Sequence, residues 1–236
     1  DDNGEEVGMS TADFAEYRTE VGKGDFDYDG HTIVGFAEDP FRNFRTDGDK
    51  QFIIDAMKAK VGPAFNDFKE AINNGSIFSI ITARGHNPNT LKQAVYKLIK
   101  NNVSGLDQEK LVESLKKYRD FTGEDIKDDN TMIKEYLDMC RFHPVSFGTG
   151  SEANPEEGKI NALREFITYC KELANKVGGK VLFKNDVSNN FVVPSIGFSD
   201  DDERNVEKVK EFLNKEFGLE HPVTTYLTKS QTKTKY

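Results

Sequence analysis

The chain has 236 residues, enough for one large domain or a domain with a substantial insertion, and enough to bury a sizeable core. Apolar residues make up 36% and charged residues 31%, a balance that excludes an intrinsically disordered chain. The formal net charge of −9 argues against broad binding to nucleic acid or an anionic membrane and is compatible with a cation-dependent site.

No apolar run approaches the ~20 residues of a membrane span, and no signal peptide is visible. The sequence opens DDNGEE without Met, so the expectation is that Asp1 is not the start of the gene product. Two cysteines, Cys140 and Cys170, stand far apart in no metal-ligand pattern and read as reduced thiols rather than a disulfide. Phe is abundant and Trp absent, so the expected core leans on Phe, Ile, Val and Leu.

Residues 1–50 are acidic and Gly-rich and read as an N-terminal, flap-like insertion segment. Their one helix candidate is STADFAEYR, with Ser10 as N-cap and Asp13 in the first turn. Residues 51–74 read as helical with a break at Gly62-Pro63. SIFSIITARG is a short apolar run ending in polar residues, the pattern of a buried strand. NPNTLKQAVYKLIKNN follows as a helix with Leu91, Val95, Leu98 and Ile99 on one face, completing a βα unit.

Residues 107–140 are mostly helical and charged. The wider block, about 100–140, is expected to be a solvated, cap-like or partner-binding insertion whose deletion leaves a folded core. HPVSFGTG is a second strand candidate. A long helix, PEEGKINALREFITYCKELANKV, opens at Asn154 or Pro155 with Ile160, Leu163, Phe166, Ile167 and Cys170 on its apolar side. VPSIGFSDDD is a third strand, RNVEKVKEFLNKEF its helix, PVTTYLT a last β-prone run and SQTKTKY a polar tail. The alternation predicts an α/β fold: a three-layer, doubly wound (Rossmann-like), mostly parallel sheet over residues 51–236.

In such a sheet ligands bind beyond the C-terminal strand ends. There SIITARG delivers Thr82 and Arg84; VSFGTG delivers Ser146, Gly148 and Thr149, with Lys159 in the next helix; IGFSDDD delivers Ser199, Asp200, Asp201 and Asp202. A hydroxyl can bond a phosphate oxygen, a lysine can neutralise developing charge, and one or two carboxylates can hold Mg²⁺. His86 and His143 stand in no partner pattern, and there is no G-x-S-x-G, Gly-rich Rossmann turn or H-x-x-x-H pair.

This set, over about residues 75–215, resembles the haloacid dehalogenase-like (HAD) superfamily. ITARG with FSDDDERNV is similar in particular to HAD-like proteins of tailed phages. The resemblance implies Thr82 as the motif-two hydroxyl, Lys159 as the motif-three lysine and Asp200 and Asp201 as the Mg²⁺ acids. It also implies phosphomonoester hydrolysis through an aspartyl-phosphate. The implied partners are a phosphorylated small molecule or a nucleic-acid end. A non-catalytic structural role with viral partners is the alternative, and the implied location is host cytoplasm or virion.

The family's nucleophile lies in a D-x-D after a buried central strand. Here the candidate D-x-D upstream of Thr82 is Asp27 and Asp29 in GDFDYDGHT, preceded by TEVGKGDF, which is no central strand. Asp25, Asp27, Asp29 and Gly30 also fit the spacing of an EF-hand loop, but its final ligand would be Phe36 instead of Glu, and Gly22 and Gly24 break any preceding helix. The stretch is therefore read as a solvated turn in an insertion, and motif one is expected to be absent from this chain.

Overall fold

The computed structural model describes residues 1–9, 13, 17, 20–148, 154–185, 195–218, 223–228 and 232–236. The chain forms two compact units, residues 1–42 and 43–236. No helix among the described residues is long and apolar enough to cross a membrane.

In the first unit GDFDYDGHT forms an antiparallel hairpin. Strand β1 (Phe26–Tyr28) pairs with β2 (His31–Ile33) in the register Phe26↔Ile33. The two connecting residues, Asp29 and Gly30, have φ of 49° and 80°. A two-residue turn with both φ positive matches the twist of a hairpin, and Asp-Gly is a favoured pair for it. The Tyr17 ring stacks on Phe26 at 5.4 Å, and the Tyr28 hydroxyl donates to Asp13 at 2.8 Å. The helix expected over STADFAEYR falls largely outside the described residues.

The second unit is mixed α/β, with seven helices and small sheets, some of them parallel, among the described residues. Helices α1 (Asp49–Ala56) and α2 (Phe65–Asn73) flank the break expected at Gly62-Pro63, and α1 spans the anticipated boundary near residue 50. Strand β3 (Ser79–Thr82) leads into α3 (Pro88–Lys100), which starts with Asn87 accepting from the Asn89 N–H and Pro88 in the first turn. Helix α4 (Gln108–Thr122) is capped by Asp107 and ends at Gly123, whose φ of 71° suits a left-handed C-cap. Helix α5 (Asp129–Met139) is capped by Asp128.

Strand β4 (Arg141–Pro144) lies parallel to β3, in the register Ser79↔Arg141. It begins two residues earlier than expected from HPVSFGTG, and Val145–Gly148 form a turn. Pro144 has no N–H to extend the ladder, and Gly148 takes φ 75°. Helix α6 (Pro155–Asn185) follows, then β5 (Ile196–Asp200), α7 (Glu203–Phe217), β6 (Val223–Leu227) and β7 (Thr234–Lys235). Strands β5 and β6 are parallel and β7 joins β6 antiparallel, a short strand within the tail read as merely polar.

Two apolar clusters hold this unit. One joins Ile72, Phe78, Val95 and Ile99 to Leu111, Val112, Leu115, Met132, Ile133, Tyr136, Leu137 and Cys140. The other joins Leu163, Phe166 and Ile167 of α6 to Ile196, Phe198, Val209, Phe212, Leu213 and Val223. Ile77 packs against both. The first cluster corrects the expectation for residues 100–140. Helices α4 and α5 are not a solvated insertion; their inner faces complete the core beneath β3. Charge covers only their outer faces, in pairs such as Arg119 with Glu135 and Lys117 with Glu113. Cys140 and Cys170 are free thiols, and burial pushes them up to about 12 and about 11 respectively.

Candidate functional site

The acidic run after β5 divides into three different environments. Asp200 closes the strand and is buried. Its Oδ2 accepts from Lys159 Nζ at 2.7 Å. Its Oδ1 accepts from the Asp202 N–H and from Asn205 Nδ2, both at 3.0 Å. Asp202 is the N-cap of α7 and accepts from the Arg204 N–H at 3.1 Å. Asp201, between them, is exposed by surface area, yet the surrounding protein still desolvates its carboxyl. That desolvation, and after it the charge of Asp200, holds the Asp201 carboxyl above the usual carboxylate range.

Lys159 reaches Asp200 from one turn inside α6. Both side chains are largely shielded, at 12% and 6% exposure, so the pair is a buried ion pair and not a surface one. The approach depends on Gly158. A Cβ there would lie 2.8 Å from the Val145 Cβ, so only glycine lets the helix start close against the turn after β4. Val145 in turn donates its N–H to the Thr82 carbonyl at 2.8 Å. The end of β3, the turn after β4 and the first turns of α6 are thus tied together, and α6 carries its lysine to the end of β5.

Thr82 is the last residue of β3 and is partly buried. Its hydroxyl oxygen accepts the Arg84 N–H at 3.4 Å, a long bond that leaves the hydroxyl proton for another acceptor. The structure therefore joins Lys159 directly to Asp200 and sets Asp201 next to them. Thr82 stands at the end of β3, which pairs with β4, and has no hydrogen bond to this pair. Ser146 lies in the turn after β4, and Thr149 lies outside the described residues.

Asn205, within FSDDDERNV, is a further member of this corner. Its side chain is buried and braces Asp200 from α7, five residues on. The polar residue one helical turn past the capping aspartate is the signal that could have identified it. His143 lies 4.0 Å from Glu165, and burial keeps its imidazole below the usual histidine range. His86 is fully buried and its Nδ1 lies 2.9 Å from Asp49.

Mg²⁺ takes oxygen ligands and is held by one or two carboxylates with water and substrate completing its shell. Asp201 offers an accessible carboxylate beside that of Asp200, whose two oxygens already accept from Lys159, Asn205 and the Asp202 N–H. The Asp201 carboxylate is the group at this strand end that could hold such an ion. In the first unit, Asp1, Glu5 and His31 form a three-donor cluster that the sequence did not flag. Its Asp1 carboxylate is already engaged: Oδ1 accepts from the N–H groups of Asn3 and Glu5, and Oδ2 lies 2.8 Å from His31 Nδ1. That arrangement is a brace holding the leading segment to β2.

Asp27 and Asp29, the candidate D-x-D, lie on the hairpin. Asp27 is exposed and accepts from the Thr32 hydroxyl at 3.2 Å, and Asp29 forms the turn. Comparison of the chain with protein-family models, with curated proteins and with solved structures returned no match.

Proposed function

We propose that this chain carries the phosphate- and metal-binding part of a HAD-like phosphohydrolase, one that hydrolyses phosphomonoesters with Mg²⁺ through an aspartyl-phosphate. On this reading the nucleophile-bearing strand is not among residues 1–236. The observation that carries the proposal is the 2.7 Å ion pair between Lys159 and the strand-end carboxylate of Asp200. It unites two separately read motifs at one place. The parallel pairs β3–β4 and β5–β6 support a doubly wound sheet in which further pairing would join the two.

The roles follow from the chemistry of each group. Asp201, with Asp200 behind it, would hold Mg²⁺, which supplies charge neutralisation at the phosphoryl oxygens when bound. Lys159 fixes the Asp200 carboxylate and places positive charge at the strand ends. Thr82 offers its hydroxyl proton to a phosphate oxygen. Asn205 and the Asp202 N–H hold Asp200 in one orientation, so the acidic corner needs little rearrangement on binding.

A second reading, a non-catalytic HAD-like interaction protein, possessing the site but no turnover, is favoured by the position of Asp27 and Asp29 on a solvated hairpin. Phage affiliation and virion partners belong to this reading.

Titration calorimetry with Mg²⁺ tests the shared premise. Binding by the wild-type chain, lost in Asp201→Asn while far-UV circular dichroism is unchanged, is the expected result. Equal binding by the variant removes the metal assignment.

A further inference from the structure

Helices α4 and α5 turn two stripes toward a space that neither fills. Leu115, Tyr118 and Arg119 recur at helical spacing on α4, as do Met132, Glu135, Tyr136 and Met139 on α5. These residues line a cavity of about 170 Å³, together with Glu124 from the turn after α4. Leu115, Met132 and Tyr136 are buried and form its floor. The Tyr136 hydroxyl is committed to the Ser76 carbonyl at 2.7 Å, which leaves the ring as what this residue offers a ligand. Two of the four methionines of the chain line the cavity, and thioether sulfur makes favourable contacts with aromatic rings.

The charged groups at the rim neutralise one another. The Arg119 guanidinium pairs with Glu135, lies 4.0 Å from Glu124 and donates to the Asp125 carbonyl at 2.8 Å. Glu135 also accepts from Lys127, and that bond is the main reason its carboxyl stays below the usual glutamate range. A charged ligand would leave water for a place whose counter-charges are already engaged, which disfavours it. Tyr118 differs from its neighbours. It is half-buried, burial raises its phenol above the ordinary range, and the group therefore stays protonated and neutral. Among the described residues its hydroxyl makes no hydrogen bond.

We propose that this cavity binds a small, uncharged aromatic molecule of the phenol class, with its ring against Met132 and Met139 and its hydroxyl bonded to that of Tyr118. The volume sets the size of the ligand. An apolar cavity of ~150 Å³ holds one benzene ring, whereas drug-sized ligands occupy roughly 300 Å³ or more. The space therefore admits one six-membered ring with a small substituent. Protein interiors keep few voids larger than a water molecule, because walls that face a gap lose their contacts on that side. A ring restores those contacts over the apolar floor, and water does not. The site shares no residue with the Lys159–Asp200 corner and is independent of the metal reading.

The test is titration with phenol of the 236-residue chain carrying ¹³C at its methionine methyl groups, followed by nuclear magnetic resonance. Four methyl signals are expected, each assigned by a single methionine-to-leucine variant. The signals of Met132 and Met139 should move saturably, and those of Met9 and Met57, which do not line the cavity, should stay. Tyr118→Phe, its fold checked by circular dichroism, should weaken phenol binding about threefold or more through loss of one hydrogen bond. Benzoate, the same ring with a charge, should bind wild type about tenfold more weakly than phenol does. No saturable shift at Met132 and Met139, or equal shifts at all four methyls, overturns the site. Unchanged phenol affinity in Tyr118→Phe, or benzoate binding as tightly as phenol, overturns the assigned ligand class.

Discussion

Ile133→Ala tests whether α5 belongs to the core. Ile133 has no exposed surface and lies in the cluster that joins α4 and α5 to α2, β3 and α3. The substitution removes three carbon groups, worth about 2.4 kcal/mol at roughly 0.8 kcal/mol each. Neighbours anchored on several elements cannot close fully over the gap, so a cavity term raises the cost to about 3–4 kcal/mol. Urea unfolding followed by circular dichroism should show a lower midpoint at unchanged slope, and melting should shift by roughly 6–15 °C for a chain of this size. Phe121→Ala, at a 52% exposed position on α4, is the control and should stay within about 0.5 kcal/mol. Equal effects at the two positions would refute the placement of these helices in the core.

Lys159→Met should cost about 3 kcal/mol in the same assay, because it leaves Asp200 buried without its cation; the hydrogen bonds from Asn205 and Asp202 keep the loss at the lower end of the range for broken buried pairs, and no loss would mean the pair is solvent-screened. His143 is held below its ordinary 6.5, first by burial and also by Arg141, against the opposing charge of Glu165. The unfolded chain therefore takes up the proton first, and the stabilisation present above about pH 6.5 is lost as pH falls toward the folded value. His143→Gln should flatten the decline of stability between pH 7.5 and 5.5, and an unchanged slope would contradict the stated cause.

Much of the second unit was legible because its strands and helices carry strong local signals. The apolar run before Thr82 and the run before Asp200 became β3 and β5, and Asn87, Asp107, Asp128 and Asp202 cap helices as their residue types favour. The error at residues 100–140 came from reading charge density ahead of period. Leu111, Val112 and Leu115 on α4, and Met132, Ile133, Tyr136 and Leu137 on α5, already show a one-sided helical stripe. The hairpin at Asp29-Gly30 was also readable, since the dipeptide favours a turn with both φ positive.

Other features lay beyond the sequence. The early start of β4 is set by its pairing with β3, and such tertiary pairing leaves little local trace. Lys159 and Asp200 could each be placed near strand ends, but 41 residues separate them, and only the approach permitted by Gly158 brings them to 2.7 Å.

The most direct measurement of the central claim is anomalous diffraction from crystals of residues 1–236 grown with Mn²⁺ as a stand-in for Mg²⁺, together with phosphate. The account predicts a metal peak within coordination distance of the Asp201 carboxylate, close to the Lys159–Asp200 pair. A peak at Asp1, Glu5 and His31 alone, or none beside Asp201, would contradict it.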